Sequence, residues 1–337
     1  MKKMDKINLL TSLAPDIDMV NQAMRRDLQD LASQTQLPEV LLEILEHSLF
    51  NGGKRIRPLL CILSAQLCGH NGKEIYPLAI ASEYLHVATL LHDDVIDNAV
   101  TRRGRTTANR VFGLTPAILA GDFLHAHAMF LFGTLGGKLC LELICHATRS
   151  MVAGEFLQLA NTQNFNLAEN DYFAVINGKT ALFIGAVCEI GAIFAGAGSR
   201  ERGALKIYGA NLGRAFQIQD DLLDYLGEPG KTGKSQGNDF VEGKMTLPLI
   251  HALSKANMAE QNSLLQLLEG SPNERISKLD SARDIISKNN GFTYAHNMAE
   301  SLIADAVSSL ALFTSGQYKE HVDTLVGLAH YAINREK

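Results

Sequence analysis

Cysteine is scarce in this 337-residue chain: there are five, an odd number, with no CxxC pair. Cys61, Cys68, Cys140, Cys145 and Cys188 sit in apolar helical stretches, which argues against a disulfide frame or a zinc site and fits a reducing cytoplasm. A surplus of positive charge is also missing. The 31 Lys and Arg stand against 36 Asp and Glu, a formal net charge of -5, so sequence-independent nucleic-acid binding is not expected. Residues 1–15 carry lysines but have no continuous apolar core and no small-residue cleavage site, so they do not read as a secretory leader. The most apolar long run, Ala181 to Gly198, is interrupted by Glu189 and rich in Gly and Ala. That composition suits a tightly packed buried helix better than a bilayer span, and no membrane anchor is expected.

Alternating strand patterns are absent, while apolar spacings of three and four run through Val20 to Leu31, Val40 to Leu49, Leu78 to Leu91, Ala117 to Leu135 and Ala204 to Leu226. Gly, Pro and Asn gather between these stretches, at 51–53, 69–72, 113–116, 136–137, 196–199 and 227–237. The reading is a large all-α bundle of a dozen or so helices. With 46% hydrophobic residues and no composition break, residues 1–337 form one expected domain. The segment 228–238, EPGKTGKSQGN, is too polar and glycine-rich for a helix and reads as a mobile loop over a site, or as a plain surface loop.

Two acidic clusters repeat one pattern. Asp93-Asp94-Val95-Ile96-Asp97 and Asp220-Asp221-Leu222-Leu223-Asp224 are both DDxxD, and each follows an apolar helical run. On a helix, positions i and i+4 share a face and i+1 lies about 100° round, so each cluster gathers carboxylates. Such a group near a helix C-terminus is disfavoured by the backbone dipole and by mutual repulsion, and a bound cation resolves both. Oxygen ligands with no His or Cys partner suit Mg2+, which bridges carboxylates to substrate phosphates. One DDxxD by itself fits a solvated helix face; two, each bordered by basic residues, point to a phosphate ligand.

The basic residues fall in three groups. Gly52-Gly53-Lys54-Arg55-Ile56-Arg57-Pro58 places Lys54 and Arg57 three apart on the expected first turn of a helix, where backbone N–H groups also favour an anion. Arg102 and Arg103 follow the first acidic cluster, and Lys234 and Lys244 follow the second. Lys54 alone would read as a solvent-facing charge; the repeated arrangement favours phosphate.

With GGKRIRP, LLHDDVID, TRRG, GKTA, FQIQDDLLD and the lysine-bearing loop in this order, the stretch from Asn51 to Pro248 resembles the polyprenyl synthetase family of trans-isoprenyl diphosphate synthases. The resemblance implies an isoprenoid-synthase bundle around a deep central cavity, three Mg2+ ions, an allylic diphosphate and isopentenyl diphosphate as substrates, and a homodimer. It implies that Asp93, Asp94, Asp97, Asp220, Asp221 and Asp224 hold the metal. Arg102, Lys179, Lys234 and Lys244 match the allylic diphosphate site; Lys54, Arg57, His86 and Arg103 match the isopentenyl diphosphate site. Lys179, Thr180 and Gln217 match the catalytic positions, the last two with oxygens near the developing allylic cation. Spacing is compatible: His86 lies seven residues before Asp93, and Gln217 three before Asp220.

Ala88 and Thr89, one turn before the first cluster, stand where short-chain members often carry a bulky aromatic, which implies an open tunnel and a long product. The context TANRVFG and the ending VGLAHYAINREK are most similar to octaprenyl-forming members that start from farnesyl diphosphate and supply quinone side chains. Phe132 and Ile144 are candidates for the tunnel floor. The alternatives are a short-chain geranyl, farnesyl or geranylgeranyl synthase, a terpene cyclase, or a partner subunit of a hetero-oligomeric synthase. A cyclase typically has an NSE-type second motif and needs no second diphosphate site, and partner subunits usually lose aspartates; all six are present here. A hydrophobic product implies at most transient membrane contact.

Overall fold

The computed structural model describes residues 6–165, 168–227, 237–313 and 316–334. Helices dominate it: α1 (Lys6–Gln34), α2 (Glu39–Leu49), α3 (Ile56–Leu67), α4 (Tyr76–Ile96), α5 (Ala108–Val111), α6 (Leu114–Asn164), α7 (Glu169–Ile176), α8 (Leu182–Phe194) and α9 (Ser199–Leu226). The series continues with α10 (Asn238–Val241), α11 (Leu247–Lys255), α12 (Met258–Glu269), α13 (Pro272–Ser277), α14 (Leu279–Lys288), α15 (Gly291–Ser309) and α16 (Lys319–Ile333). All five stretches with helical spacing lie inside helices. The breaks sit where backbone chemistry demands them: Gly52 and Gly53 adopt φ of +77° and +140° between α2 and α3, and Gly137, at φ 75°, kinks α6.

The expectation of no strands needs one correction. Thr101–Arg102 (β1) and Arg105–Thr106 (β2) pair antiparallel across a two-residue turn. Arg103 and Gly104 both have positive φ, 52° and 76°, as a type I′ hairpin turn requires. Two-residue strands are too short to show alternation, which is why the pattern search passed over them.

The chain divides into two compact units, each assembled from separated segments. The first comprises Met1–His146, Ala186–Lys206 and Leu312–Gly327. Its spine is α4, which packs on α1 and α3 and buries Leu78, Ala81, Tyr84, Leu85 and Ala88. The second comprises Ala147–Gly185, Ile207–Ala311 and Leu328–Lys337. There α11 packs against α14 and α15, and small residues bring backbones together: a Cβ added to Gly178 would lie 2.7 Å from the Ser150 carbonyl oxygen, and one on Gly213 2.8 Å from the Ala181 Cα. Between α7 and α8 the chain makes a π-helical turn over Asn177–Ala181, the segment that carries Lys179 and Thr180. One extra residue per turn re-aims these side chains, a device often found at functional sites.

The apolar run Ala181 to Gly198 corresponds to α8, where Phe183, Ile184, Val187, Cys188 and Ile190 are buried. Two stretches, Leu114–Thr162 and Glu169–Phe194, have the length and composition of a membrane span; the second is mostly buried, as a core helix is. All five cysteines are free thiols, and burial pushes those of Cys61, Cys140 and Cys188 upward.

Candidate active site

In the first unit the acidic cluster ends α4. Asp97 is the C-terminal cap and is exposed, Asp93 is half-buried, and Asp94 is 6% exposed. Arg102, on the hairpin, reaches back to Asp94 and places both Nε (2.8 Å) and Nη2 (2.7 Å) on its Oδ1, while Asn109 Nδ2 donates to the Asp94 carbonyl. The hairpin turn therefore sets a guanidinium against the acidic helix end.

Arg103, in the same turn, donates from Nη1 to the Gly52 carbonyl (2.6 Å). Gly53 lies between two arginines: an added Cβ would meet Arg103 Nη1 at 2.8 Å and Arg55 Nη1 at 3.2 Å. Arg55, 4% exposed, is anchored by Glu83 Oε1 (2.8 Å), Asn21 Oδ1 (3.0 Å) and the Leu49 carbonyl (2.6 Å). Four arginines act on His86. Burial first, then Arg57, Arg103, Arg102 and Arg55, hold its imidazole well below the usual histidine range, so it is neutral and can donate one hydrogen bond without adding charge. A cleft beside the cluster is lined by Asn51, Val87, Leu91, Asp94, Arg102 and Arg103. Lys54 is exposed and Arg57 half-buried on the same loop and the first turn of α3.

In the second unit the cluster occupies the last two turns of α9. Asp221 is 5% exposed and accepts from two neutral donors: the Tyr172 hydroxyl on Oδ2 (2.7 Å) and Gln217 Nε2 on Oδ1 (3.2 Å). Gln217 Oε1 in turn accepts from the Thr180 hydroxyl (3.2 Å). Asp224 accepts from the backbone N–H groups of Asn238 (3.2 Å) and Asp239 (3.0 Å). Burial and the adjacent Asp239 push Asp221 up to about 8 and Asp224 up to about 6. Lys244 lies between Asp239 (3.0 Å) and Glu242 (2.7 Å), and Lys179 between Glu155 (2.7 Å) and Gln158 (3.0 Å).

These carboxylates fit a hard divalent cation. They are crowded and oxygen-only, and in the second cluster burial and Asp239 make Asp221 and Asp224 harder to ionise, a burden that a bound cation relieves. Among the described residues no three His, Cys, Asp or Glu side chains form a metal cage unaided. A Mg2+ ion that keeps waters and shares ligand phosphates needs only one or two carboxylates.

Each unit gathers its own share of the sequence-predicted residues: Lys54, Arg57, His86, Asp93, Asp94, Asp97, Arg102 and Arg103 in the first, Lys179, Thr180, Gln217, Asp220, Asp221, Asp224 and Lys244 in the second. Lys234 lies outside the described residues, as does most of the loop 228–238. Ala88, Phe132 and Ile144 are buried, and Thr89 bonds back to the His86 carbonyl (2.7 Å). Sequence reasoning missed Tyr172 and Asp239, which bond to named residues, and the buried Arg55–Glu83 pair beside Gly53. Asp239 could have been found as the second acidic position after the second cluster; Tyr172, in ENDYFAVI, gives no local signal.

Fold and site together define an all-α isoprenoid synthase. The Polyprenyl synthetase profile matches residues 38–286, and the chain belongs to that family. It is 34% identical over 334 residues to an octaprenyl diphosphate synthase of Escherichia coli (strain K12), covering 99% of both chains. It is 35% identical over 306 residues to a geranylgeranyl diphosphate synthase of Sulfolobus acidocaldarius, covering 88% of this chain and 91% of that one. Among solved structures, a polyprenyl synthase from Caulobacter crescentus, complexed with calcium and isoprenyl diphosphate, superposes with a TM-score of 0.87 at 32% identity over the whole of both chains. The chain is a prenyltransferase, a trans-prenyl diphosphate synthase.

Proposed function

We propose that the chain is a Mg2+-dependent long-chain synthase that adds isopentenyl diphosphate repeatedly to farnesyl diphosphate and releases an octaprenyl diphosphate for quinone side chains. The observation that carries the elongation reading is that two DDxxD helix ends are accompanied by enough basic groups for two diphosphates, with Arg102 on Asp94 and a separate arginine group around His86. Ala88 and Thr89, small and one turn before Asp93, support a long product, as does the likeness to the octaprenyl-forming relative.

Asp93, Asp94, Asp97, Asp220, Asp221 and Asp224 would hold the metal, three ions in the family scheme; when bound, Mg2+ neutralises the departing diphosphate. Arg102, Lys179, Lys234 and Lys244 bind the allylic diphosphate. Lys54, Arg57, His86 and Arg103 bind isopentenyl diphosphate, with neutral His86 donating a hydrogen bond among the arginines. Thr180 Oγ and Gln217 Oε1 turn lone pairs toward the allylic carbon as positive charge develops there.

One domain, 1–337, carries all of this, and it acts as a cytoplasmic homodimer. The apolar residues that α6 leaves exposed, Phe130 (61%), Val152 (55%), Phe156 (69%) and Leu159 (55%), are suited to a partner copy. Membrane contact is confined to product release.

The test is to incubate purified protein with both diphosphates and Mg2+, with Asp93→Ala as control, and to measure product length by mass spectrometry after dephosphorylation. A ladder ending near forty carbons is expected. A ladder ending at fifteen or twenty retains the chemistry and overturns the open-tunnel argument; a cyclic hydrocarbon from the allylic substrate alone overturns elongation.

A further inference from the structure

Tyr172 belongs to none of the motifs that define the site, yet its side chain is 5% exposed and its hydroxyl is 2.7 Å from Asp221 Oδ2. Helix α7, which carries it, leads directly into the π-helical turn that carries Lys179 and Thr180. The contact therefore ties the start of this segment to α9, and the Thr180–Gln217 hydrogen bond ties its end. Between these ties runs an unbroken line of hydrogen bonds: Tyr172 hydroxyl to Asp221 Oδ2, Gln217 Nε2 to Asp221 Oδ1, Thr180 hydroxyl to Gln217 Oε1.

We propose that Tyr172 is a positioning residue of the second aspartate cluster: its phenol fixes the Asp221 carboxylate, and through that carboxylate fixes which way the Gln217 amide faces. With a cation bound Asp221 is ionised, and an ionised carboxylate can only accept hydrogen bonds. With Oδ2 held by Tyr172, Oδ1 stays turned toward Gln217, and the amide must present its NH2 there. The Gln217 carbonyl oxygen is then directed to Thr180, the arrangement in which both oxygens offer lone pairs to a cation. Without the phenol, Asp221 is free to rotate about its Cα–Cβ and Cβ–Cγ bonds. Both the metal geometry and the amide direction then lose their reference. The proposal rests on the metal-dependent reading above, and the experiment separates the two.

Tyr172→Phe removes one oxygen and keeps the ring that fills the site. Binding of Mn2+ is followed without turnover by the electron paramagnetic resonance of the free ion, with a non-reactive allylic thiodiphosphate present. The Mn2+ dissociation constant is expected to rise about tenfold, the scale at which partners of metal ligands act. The KM for isopentenyl diphosphate should stay within about twofold of wild type, since its assigned residues lie in the other unit. Tyr225→Phe is the control: it removes another fully buried phenol of the same unit, one bonded to Thr246 (3.3 Å). Mn2+ affinity unchanged in Tyr172→Phe, or weakened equally in Tyr225→Phe, would overturn the positioning role. Wild-type protein that binds no Mn2+ with the thiodiphosphate overturns the metal-dependent reading and this inference with it.

Discussion

Asp94 and Asp221 occupy the second position of the same DDxxD pattern, one in each unit, and both are buried, at 6% and 5% exposure. Their partners differ in kind. Asp94 faces a guanidinium delivered by a type I′ hairpin turn, so its charge is balanced within the protein. Asp221 faces a phenol and an amide, which hold its orientation but bring no charge, and Asp239 adds to the repulsion around it. Neutral donors leave the charge of Asp221 to be balanced by a cation. The second cluster is therefore the one whose protonation state, stability and geometry depend most on metal.

The largest break in this comparison comes from Asp221→Asn. It keeps the shape and removes the charge, and we expect turnover to fall by about a hundred- to a thousandfold. The metal-free variant should melt above wild type at pH 8, because a buried ionised carboxylate has gone. Lower activity together with a lower melting temperature would contradict this account of Asp221. Next in size is Gly53→Ala. Its methyl would stand 2.8 Å from Arg103 Nη1 at a backbone φ of +140°, so the Arg103 guanidinium must move off and the backbone is strained. The KM for isopentenyl diphosphate should rise about tenfold while that for the allylic substrate changes little, because the strain falls within the arginine group around His86. Equal rises in both constants would mean the two diphosphate sites are not separately supported.

Arg102→Ala probes the balanced side. Removing two charge-assisted bonds from a buried carboxylate should weaken allylic substrate binding about tenfold, with Arg102→Lys recovering only part of it because an ammonium cannot reproduce the fork. Full recovery by lysine would show that charge alone is required at this position.

Sequence alone was sufficient for the helical bundle, because the periodic stretches are long and their ends are punctuated by glycine. It was also sufficient for the six aspartates, because a repeated DDxxD after an apolar run contradicts ordinary helix design. It was insufficient for what holds them. Tyr172 lies 49 residues from Asp221 and Asn109 lies 15 from Asp94, and nothing local to either member of a pair predicts the other. The π-helical turn at Asn177–Ala181 was hidden for another reason: it differs from an α-turn by one residue, within the scatter of any spacing argument. The division into two units was likewise unreadable, since each combines segments far apart in the chain with no change in composition.

The smallest expected effect lies in the pH dependence of stability. Asp221, at about 8, and Asp224, at about 6, bind protons more tightly in the folded chain than in the unfolded one, where an aspartate titrates near 3.9. Their contribution to stability is therefore full below the unfolded value and is lost as pH rises, first through about 6 for Asp224 and then through about 8 for Asp221. Mg2+ binds the ionised form, so its binding releases protons and reverses the slope. Circular-dichroism melts between pH 5 and pH 9 should show the metal-free protein losing roughly 2–4 °C for each kcal/mol involved, and the loss should disappear with Mg2+ and inorganic diphosphate present. Asp221→Asn should flatten the metal-free curve between about pH 5 and about pH 8. Parallel curves with and without metal would remove the distinction between the two clusters, and Arg102 would then be no more than another site cation.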